Sequence, residues 1–296
     1  MIIAIASGKG GTGKTTLSVS LALSVPGSTA LLDCDVEEPN ADLFLSVIDR
    51  STHDVTSLVP VIDTALCTAC GACARLCEFN AIVCIGSSVM VFNELCHSCG
   101  LCARVCPHQA IREAPHKIGS IEEGRIPRSG GASPLYFAKG LLDIGKAMSP
   151  PVIRAVTECG ERWLKEFPCP ESLIILDSPP GTSCPMTTTV SDADCVVLVT
   201  EPTPFGLHDL TLAVETVRKM GIPFGVVINR SDSGDDRVVR YCEAEQIPLL
   251  LSIPEDRLIA EAYSRGIPLV DARREYREQF VALFEACKKL SGRTPA

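Results

Sequence analysis

Residues 7–16 read SGKGGTGKTT, and this stretch decides the fold of the chain. It satisfies the phosphate-loop pattern G-x-x-x-x-G-K-[ST], in which backbone N–H groups surround the phosphates of a nucleotide. The apolar run at residues 2–6 predicts a buried strand before the loop, and residues 17–24 are expected to continue it as a helix. A strand–loop–helix unit that binds ATP or ADP therefore explains the stretch better than a Gly-rich turn without a ligand.

Two side chains of this loop have specific expected roles. We expect Lys14 to contact the β- and γ-phosphates and the Thr15 hydroxyl to bind Mg²⁺. Lys14 is also a candidate catalytic residue, because its charge can stabilise the transferred phosphoryl group. The other candidate nucleotide contacts are the remaining residues of the loop: Gly8, Lys9, Gly10, Gly11, Thr12, Gly13 and Thr16.

The composition of the chain argues against several classes of protein. Its 296 residues carry a net charge of −9 and no long basic run, so we expect no binding to nucleic acid. No apolar run is long enough to span a membrane, and no basic segment precedes the first apolar run, so we expect no signal peptide. The 16 cysteines are clustered, which indicates metal ligands in a reducing cytoplasm rather than secreted disulfides.

Eight of the cysteines form two copies of one spacing. Residues 67–77 and 96–106 both have the pattern C-x₂-C-x₂-C-x₃-C, and the copies lie 29 positions apart. The repeat resembles the bacterial two-cluster ferredoxins, in which the fourth cysteine of each copy binds the other cluster. Zinc is the alternative, although Cys₄ zinc sites typically use two C-x₂-C pairs.

The ferredoxin resemblance implies two [4Fe–4S] clusters with crossed ligands. One copy departs from the pattern, since Glu78 stands where the second copy has Pro107. This glutamate adds charge close to a cluster without removing a ligand. The resemblance assigns Cys67, Cys70, Cys73 and Cys106 to the first cluster, and Cys77, Cys96, Cys99 and Cys102 to the second.

A second lysine, Lys9, lies inside the phosphate loop and gives the sequence GKGGTGKT. With this lysine, the loop resembles that of the deviant Walker A ATPases of the MinD/ParA type, a group that includes Mrp and the nitrogenase iron protein. The resemblance implies an ATPase that forms a homodimer when ATP is bound, with Lys9 as a catalytic residue that reaches the partner's nucleotide. The alternative is a solvated lysine on a loop.

Aspartates follow two predicted buried strands, at residues 29–33 and 173–177. Asp177 ends the second of these runs, which is the Walker B arrangement for holding Mg²⁺. The family resemblance implies that Asp35 contacts Mg²⁺ and orients or activates the attacking water, and that Gly181 senses the γ-phosphate. The alternatives are a helix cap for Asp35 and ordinary turn roles for Asp177 and Gly181.

Two later segments are expected near the base of the nucleotide. The resemblance implies that Asn229, at a strand end, faces the adenine, and residues 253–256 resemble the loop that flanks the base in MinD. Guanine recognition by Asp232 is the alternative, because residues 229–232 are similar to the N-K-x-D guanine motif. A solvated turn is the alternative for the acidic residue of the second segment. The candidate base contacts are Asn229, Arg230, Pro254 and Glu255.

Alternating strands and helices predict an α/β fold with a doubly wound, mainly parallel sheet. We expect residues 1–62 and 113–296 to form this phosphate-loop domain, and residues 63–112 to form an inserted small α+β ferredoxin domain. A short hairpin and a loop are expected at residues 115–151. Seven further cysteines are expected to be small buried groups: Cys34, Cys84, Cys159, Cys169, Cys195, Cys242 and Cys287.

The insertion of the cysteine segment between the two aspartate motifs leads to a functional hypothesis. We predict that ATP binding and hydrolysis control electron transfer through the clusters to an unidentified redox or iron–sulfur partner protein. The alternatives are an Mrp-like carrier for iron–sulfur cluster assembly and a ParA/MinD-type positioning ATPase. Cys184 matches the position of a bridging-cluster cysteine in the nitrogenase iron protein, but residues 147–149 lack the second such cysteine, so its role stays open.

Overall fold

The computed structural model describes residues 1–128, 134–167 and 172–292. These residues contain one nine-stranded sheet and a separate two-stranded hairpin, with short 3₁₀ helices at Ala41–Phe44 and Asn93–Leu95. Within these ranges, no helix has both the length and the apolar character needed to cross a membrane. The strands are β1 (Ile2–Ala6), β2 (Thr29–Asp33), β3 (Ile48–Ile62), β4 (Ile82–Ile85), β5 (Ser88–Val91), β6 (Ile111–Ile126), β7 (Leu135–Leu142), β8 (Leu173–Asp177), β9 (Cys195–Thr200), β10 (Phe224–Asn229) and β11 (Leu249–Ile253). The helices are α1 (Lys14–Ser24), α2 (Ala72–Arg75), α3 (Leu101–Arg104), α4 (Pro150–Glu166), α5 (Cys184–Val190), α6 (Pro204–Met220), α7 (Arg237–Ala244), α8 (Arg257–Tyr263), α9 (Leu269–Ala272) and α10 (Tyr276–Leu290).

The centre of the large sheet is parallel. Its strand order is β11-β10-β9-β1-β8-β2-β7, and each neighbouring pair in this series runs in the same direction. Strands β2, β8 and β9 are buried along their whole length, as expected for strands covered on both faces. One face packs against α4, α5 and α6, and the other packs against α1 and α10. The predicted α/β fold with a mainly parallel sheet is therefore confirmed.

The outermost strands differ from the expected arrangement. β6 is antiparallel to both neighbours, pairing with β3 from Ile62↔Ile111 to Ile48↔Arg125 and also with β7. The hairpin predicted within residues 115–151 is present, since β6 and β7 pair antiparallel, but it is not short, because residues 115–126 belong to a 16-residue strand. The sequence does not predict β3, because residues 48–54 are all exposed and an exposed ribbon needs no alternation of apolar and polar residues.

Residues 63–110 connect the ends of β3 and β6 and lie at the outer end of this two-stranded ribbon. They contain α2, α3 and the β4–β5 hairpin, whose two strands form a sheet of their own. Ile111 and Arg112, which the sequence analysis includes in the insert, pair with Ile62 and Val61 of the ribbon. The cysteine repeat thus occupies a local unit that the ribbon joins to the edge of the large sheet.

Candidate functional site

The phosphate loop connects β1 to α1 with a backbone that requires glycine at particular positions. Gly11 and Gly13 have φ values of 77° and 96°, in the left-handed region where other residues are strained. A Cβ atom on Gly8 would lie 2.2 Å from the carbonyl oxygen of Asp209, and one on Gly13 would lie 2.5 Å from Asn229 Nδ2. The close packing therefore leaves no space for larger residues at either position.

The first turn of α1 offers donors to an anion. No side chain caps this turn, and no acidic residue lies within it. Its N–H groups and the positive end of the helix dipole therefore favour a negatively charged ligand. The loop residues Gly10 and Gly11 lie exposed at the tip, whereas Thr12 is buried and Thr16 borders a small groove with Phe44 and Tyr263.

Lys14, the first residue of α1, is buried with only 7% of its surface exposed. Burial lowers the pKa of its ammonium, and the neighbouring carboxylates of Asp177, Asp35 and Asp33 oppose that shift. The predicted lysine and both predicted aspartates therefore meet at one place, which sequence separation alone did not guarantee. The site is a buried cation surrounded by three acidic groups.

Asp177 occupies the C-terminal end of β8 and is 1% exposed. Its Oδ1 accepts a hydrogen bond of 3.1 Å from Ser18 Oγ, while its buried Oδ2 has no hydrogen-bond partner among the described residues. Burial raises the pKa of this carboxyl to about 6, although Thr15 and Lys14 act in the opposite direction. An unpartnered carboxylate oxygen beside a threonine hydroxyl is a donor set that suits Mg²⁺.

Asp33 is a functional candidate that the sequence analysis missed. Its fully buried side chain accepts hydrogen bonds from the backbone N–H groups of Asp35 (3.1 Å), Asn40 (3.0 Å) and Ala41 (3.0 Å). Burial and the nearby Asp177 raise its pKa well above the usual range. The sequence does indicate Asp33, since this residue ends a buried strand, but the family motif assigns the catalytic role to the second aspartate, Asp35.

Asp35 lies in the turn that Asp33 organises. It is half-buried, and burial raises its pKa to about 6, with Lys14 acting in the opposite direction and Asp177 in the same direction. The N–H of Glu38 donates to the Asp35 carbonyl at 3.1 Å, which closes the turn. A carboxylate with this pKa is mostly ionised at neutral pH and can accept a proton.

Lys9 forms an ion pair within the chain. Its Nζ lies 3.1 Å from Oε2 of Glu201, and Arg230 Nη1 lies 3.0 Å from Oε1 of the same carboxylate. Glu201 follows β9 directly and has 11% of its side chain exposed. The sequence analysis missed this residue, because a glutamate after an apolar strand belongs to no motif.

The other predicted nucleotide contacts lie around the same edge. Asn229 Nδ2 donates to the Thr12 carbonyl at 2.9 Å, so this side chain contacts the phosphate loop. The N–H of Gly181 donates to the Ser7 carbonyl at 3.0 Å, which places the turn after β8 against the loop. The N–H of Glu255 donates to Asp232 Oδ1 at 2.6 Å, and Pro254 is exposed beside it.

The cysteine segment repeats its backbone as well as its sequence. Non-glycine residues adopt left-handed φ values near 52° at Ala69 and Ser98, which occupy the same position in the two copies. The copies also exchange hydrogen bonds, since Asp63 N–H donates to Ala110 O at 2.7 Å and Phe92 N–H donates to Ala81 O at 2.8 Å. The two halves are therefore related by an approximate two-fold exchange.

Two cavities lie within this segment, and each collects thiols from both copies. The electrostatic neighbours of Cys73 include Cys106 and Cys67, and those of Cys96 include Cys99 and Cys77. Four cysteines line the smaller cavity, and these are Cys67, Cys70, Cys73 and Cys106. The other four, Cys77, Cys96, Cys99 and Cys102, line the larger cavity, which Cys73 also borders.

The surroundings of these cavities differ in charge. The larger is bordered by Glu78, Glu113 and His97, and the His97 ring stacks on Phe79 with 3.6 Å between ring centroids. In the described lining of the smaller cavity, His108 is the one titratable side chain apart from the cysteines. No three His, Cys, Asp or Glu side chains of the described residues form a group suited to a single metal ion.

The comparison with protein families matches residues 3–269 to the CobQ/CobB/MinD/ParA nucleotide binding domain. The chain belongs to this family. A relative in Methanocaldococcus jannaschii, an uncharacterized protein, is 32% identical over 293 residues and covers 98% of this chain and 97% of its own length. The family match agrees with the phosphate loop and with the parallel sheet described above.

Two solved structures share the fold of this CobQ/CobB/MinD/ParA family member. One is the septum site-determining protein MinD from Pyrococcus horikoshii in complex with Mg-ADP, with a TM-score of 0.56, 23% identity and coverage of 98% of this chain and 97% of the other. The other is the cell division ATPase MinD from Pyrococcus furiosus, with a TM-score of 0.55, 25% identity and 98% coverage of both chains.

The remaining cysteines of the family member fall into four groups, and Cys84 departs from the expectation that it is buried. Cys84 is half-buried and its Sγ lies 3.3 Å from the Ala69 carbonyl, whereas Cys184 is exposed at the start of α5. Cys169 lies outside the described residues. The buried ones, as predicted, are Cys34, Cys159, Cys195, Cys242 and Cys287.

Proposed function

We propose that this chain is an ATP-hydrolysing protein whose nucleotide state controls electron transfer through two [4Fe–4S] clusters. Residues 1–62 and 113–296 are the nucleotide-binding part, related to the nitrogenase iron protein, and residues 63–112 are an inserted ferredoxin-like domain. The observation that carries the proposal is the distribution of eight thiols from two sequence copies over two cavities. Crossed ligands of this kind are the arrangement used by two-cluster ferredoxins.

The nucleotide-binding part has the groups that ATP hydrolysis requires. Lys14 and the first turn of α1 offer positive charge to the phosphates. Mg²⁺, held by Thr15, Asp35 and Asp177, would neutralise charge on the phosphates. Even with its pKa raised to about 6, Asp35 is mostly ionised at neutral pH. This carboxylate can therefore orient the attacking water and accept its proton. Gly181 contacts the loop through its N–H and is suited to respond to the γ-phosphate.

The base is proposed to lie beside Asn229, Arg230, Pro254 and Glu255. These residues end β10 and follow β11, and Asn229 already contacts the phosphate loop. Asp232 accepts the Glu255 N–H, so guanine recognition would require it to leave that hydrogen bond. Calorimetric titration with ATP and GTP tests the assignment, and we expect the protein to prefer ATP. Equal or tighter binding of GTP would contradict it.

A homodimer is proposed for the ATP-bound state, with Lys9 contacting the nucleotide of the partner. In the single chain, Lys9 is 31% exposed and paired with Glu201, so the partner's phosphates must replace that carboxylate. We expect an Asp35→Ala variant, which traps ATP, to sediment as a dimer with ATP and as a monomer with ADP. The Asp35→Ala, Lys9→Ala double variant should stay monomeric with both nucleotides.

The cysteine segment has the groups that bind and tune clusters. Each [4Fe–4S] cluster, when bound, would accept and donate one electron. The N–H groups of Ser98 and Ala110 lie 3.4 Å and 3.3 Å from the sulfurs of Cys96 and Cys106 and donate hydrogen bonds to them. Such bonds stabilise negative charge on ligand sulfurs and orient them. Cys96 lines the larger cavity and Cys106 lines the smaller one, so one such bond at each cavity supports a role for both.

The test uses full-length protein purified without oxygen. We expect about eight irons per chain, an ATPase rate that differs between dithionite-reduced and oxidised protein, and midpoint potentials that differ between ADP and a non-hydrolysable ATP analogue. Because thermodynamic coupling is reciprocal for binding, a nucleotide-dependent potential also requires that oxidised and reduced protein differ in nucleotide affinity. An absence of iron, or independence in both directions, would reject the proposal. Proteins that co-purify with the Asp35→Ala variant would then identify the redox partner.

A cluster carrier of the Mrp type is the second candidate. Cys70 and Cys99, one from each cavity, are exposed, and exposed ligands favour the release of a cluster. Transfer of iron-55 from the loaded protein to an apo-ferredoxin, faster with ATP than without it, would favour this function. Retention of the label during many ATP turnovers would favour electron transfer.

A further inference from the structure

A loop after β7 reaches the same edge of the sheet as the candidate catalytic aspartates. β2 and β7 run parallel, and Asp33 is paired with Lys139. Since carboxyl ends of parallel strands share one edge, residues 143–149 leave β7 beside the turn that carries Asp35. The loop then returns to the sheet through α4.

The residue after Asp35 is fixed against the end of β7. The Leu142 N–H donates to the Val36 carbonyl at 2.8 Å. Val36 is 1% exposed, and a Cβ atom on Gly140 would lie 2.7 Å from its Cγ1, so the two segments pack without space between them. A displacement at Asp35 is therefore transmitted to the end of β7, because packed segments move together.

The same loop contacts the cysteine segment. The Asp143 N–H donates to the Ile118 carbonyl at 2.9 Å, which attaches the loop to β6. Lys146 Nζ then lies 3.2 Å from Glu94 Oε1 and 2.8 Å from His116 Nε2. The Lys146 side chain is only 17% exposed. Among the ion pairs of the described residues, Lys146–Glu94 is the one that joins residues 63–110 to the nucleotide-binding part.

Glu94 belongs to the short helix Asn93–Leu95, which leads directly into the cluster-ligand candidate Cys96. The Cys96 N–H donates to the Asn93 carbonyl at 3.1 Å, so this turn fixes the start of the second cysteine copy. A positive charge near a cluster favours its reduced form, and net charge close to the cluster sets its potential. The Lys146–Glu94 contact thus lies two sequence positions from Cys96, which lines the larger cavity.

We infer that Lys146 is a positioning residue through which the nucleotide state at Asp35 and Val36 sets the potential of the cluster held by Cys77, Cys96, Cys99 and Cys102. The inference rests on the proposed function, because it assigns a route to the proposed coupling. It does not require a change of fold, since a displacement of the 143–149 loop is sufficient to alter the Lys146–Glu94 contact.

The test is a redox titration monitored by electron paramagnetic resonance on full-length, cluster-loaded protein with ADP and with a non-hydrolysable ATP analogue. Lys146→Met should lower one of the two midpoint potentials and abolish its difference between the two nucleotides. Lys146→Arg keeps the positive charge, so it should retain the wild-type potential and its nucleotide dependence. Glu94→Gln should raise the same potential. A single surface ion pair contributes little to folding, so these variants should load iron normally.

Lys117→Met is the matched control. Lys117 lies on β6 next to His116, which Lys146 contacts, but its own ion-pair partner at 2.7 Å is Asp54 of β3. The control should keep both potentials and the nucleotide dependence of the wild type. If the wild type has a nucleotide-dependent potential and Lys146→Met retains it, the inference fails and the proposed coupling stands. If the wild type has none, both are rejected.

Discussion

The nucleotide edge and the cysteine segment are two sites built in opposite ways. The first brings together side chains from distant parts of the chain, with Lys14, Asp33 and Asp177 meeting only because β1, β2 and β8 are neighbours in the sheet. The second uses residues within 67–106, and repeated local turns direct its thiols. The first site therefore depends on the integrity of the whole sheet, whereas the second depends on a short segment and on what its thiols bind.

The largest expected effect is a loss of ATPase activity that leaves the cysteine segment unchanged. Lys14→Ala should lower the ATPase rate by about 100-fold or more, because it removes a preorganised charge from the position of the transferred phosphoryl group. Iron content should equal that of the wild type, since the cysteine segment has its own local contacts. Steady-state phosphate release and iron analysis on the same preparation measure both quantities. Loss of iron in this variant would contradict the independence of the sites.

The crossed ligands are tested by pairs of cysteine substitutions. Cys67→Ala with Cys106→Ala removes two ligands from one cavity, and the protein should keep about half of its iron. Cys67→Ala with Cys77→Ala removes one ligand from each cavity, and both clusters should be lost or become labile. Iron analysis after anaerobic gel filtration distinguishes the variants. The opposite result would mean that each copy binds its own cluster.

A buried carboxylate at the nucleotide edge is expected to cost stability. The pKa of Asp177 rises from 3.8 to about 6, so this group destabilises the folded state by about 3 kcal/mol when it is ionised. Because the folded protein binds more protons than the unfolded chain between pH 3.8 and about 6, this destabilisation is absent below pH 3.8, grows as pH rises through that range and is complete above pH 6. Asp177→Asn should raise the unfolding temperature of nucleotide-free protein by several degrees at pH 7.5 and abolish Mg²⁺-dependent hydrolysis.

Calorimetric scans at pH 5 and pH 7.5 provide the control for this prediction. At pH 5 the carboxyl is mostly protonated in the folded state but mostly ionised in the unfolded chain, so the difference between wild type and Asp177→Asn should fall to roughly half of its size at pH 7.5. A stabilisation of equal size at both pH values would show that packing, rather than charge, is responsible. Addition of Mg²⁺ and ADP should stabilise the wild type more than the variant, because ligands that bind the folded state raise its stability.

Sequence patterns indicate the candidate residues of each site but not how the two sites are connected. The phosphate loop, Asp177 and the cysteine spacing are local motifs; in the fold Lys14 lies beside Asp177, and the eight cysteines line two cavities. Asp33 and Glu201 were missed because their importance comes from partners that the fold brings close, such as the N–H of Ala41 or the ammonium of Lys9. No spacing rule links residues so far apart in the sequence.

The ribbon and the Lys146–Glu94 contact were unpredictable for a related reason. β3 is polar over its first half, because the ribbon is exposed there and burial imposes no pattern. Lys146 and Glu94 are ordinary surface residue types, and their separation of 52 positions leaves no periodic signal. Their contact follows from the parallel alignment of β2 and β7 and from the antiparallel return of β6, which only the folded sheet specifies.

The smallest expected effect is a difference in midpoint potential between the clusters of the two cavities. Glu78 and Glu113 border the larger cavity, and no carboxylate borders the described lining of the smaller one. Negative charge disfavours the addition of an electron, so the cluster at Cys96 should have the lower midpoint potential. Glu113→Gln should raise that potential on the order of tens of millivolts and narrow the gap between the clusters.

The control for this comparison is Glu122→Gln, a second glutamate of β6 that pairs with Arg50 outside the insert. It should leave both potentials unchanged, so any shift in Glu113→Gln would reflect charge close to the cavity rather than the strand as a whole. A fall in potential on removing Glu113, or an equal shift in both clusters, would show that solvent access outweighs local charge. The two copies would then differ in exposure and not in electrostatics, and the order of electron transfer would have to follow exposure.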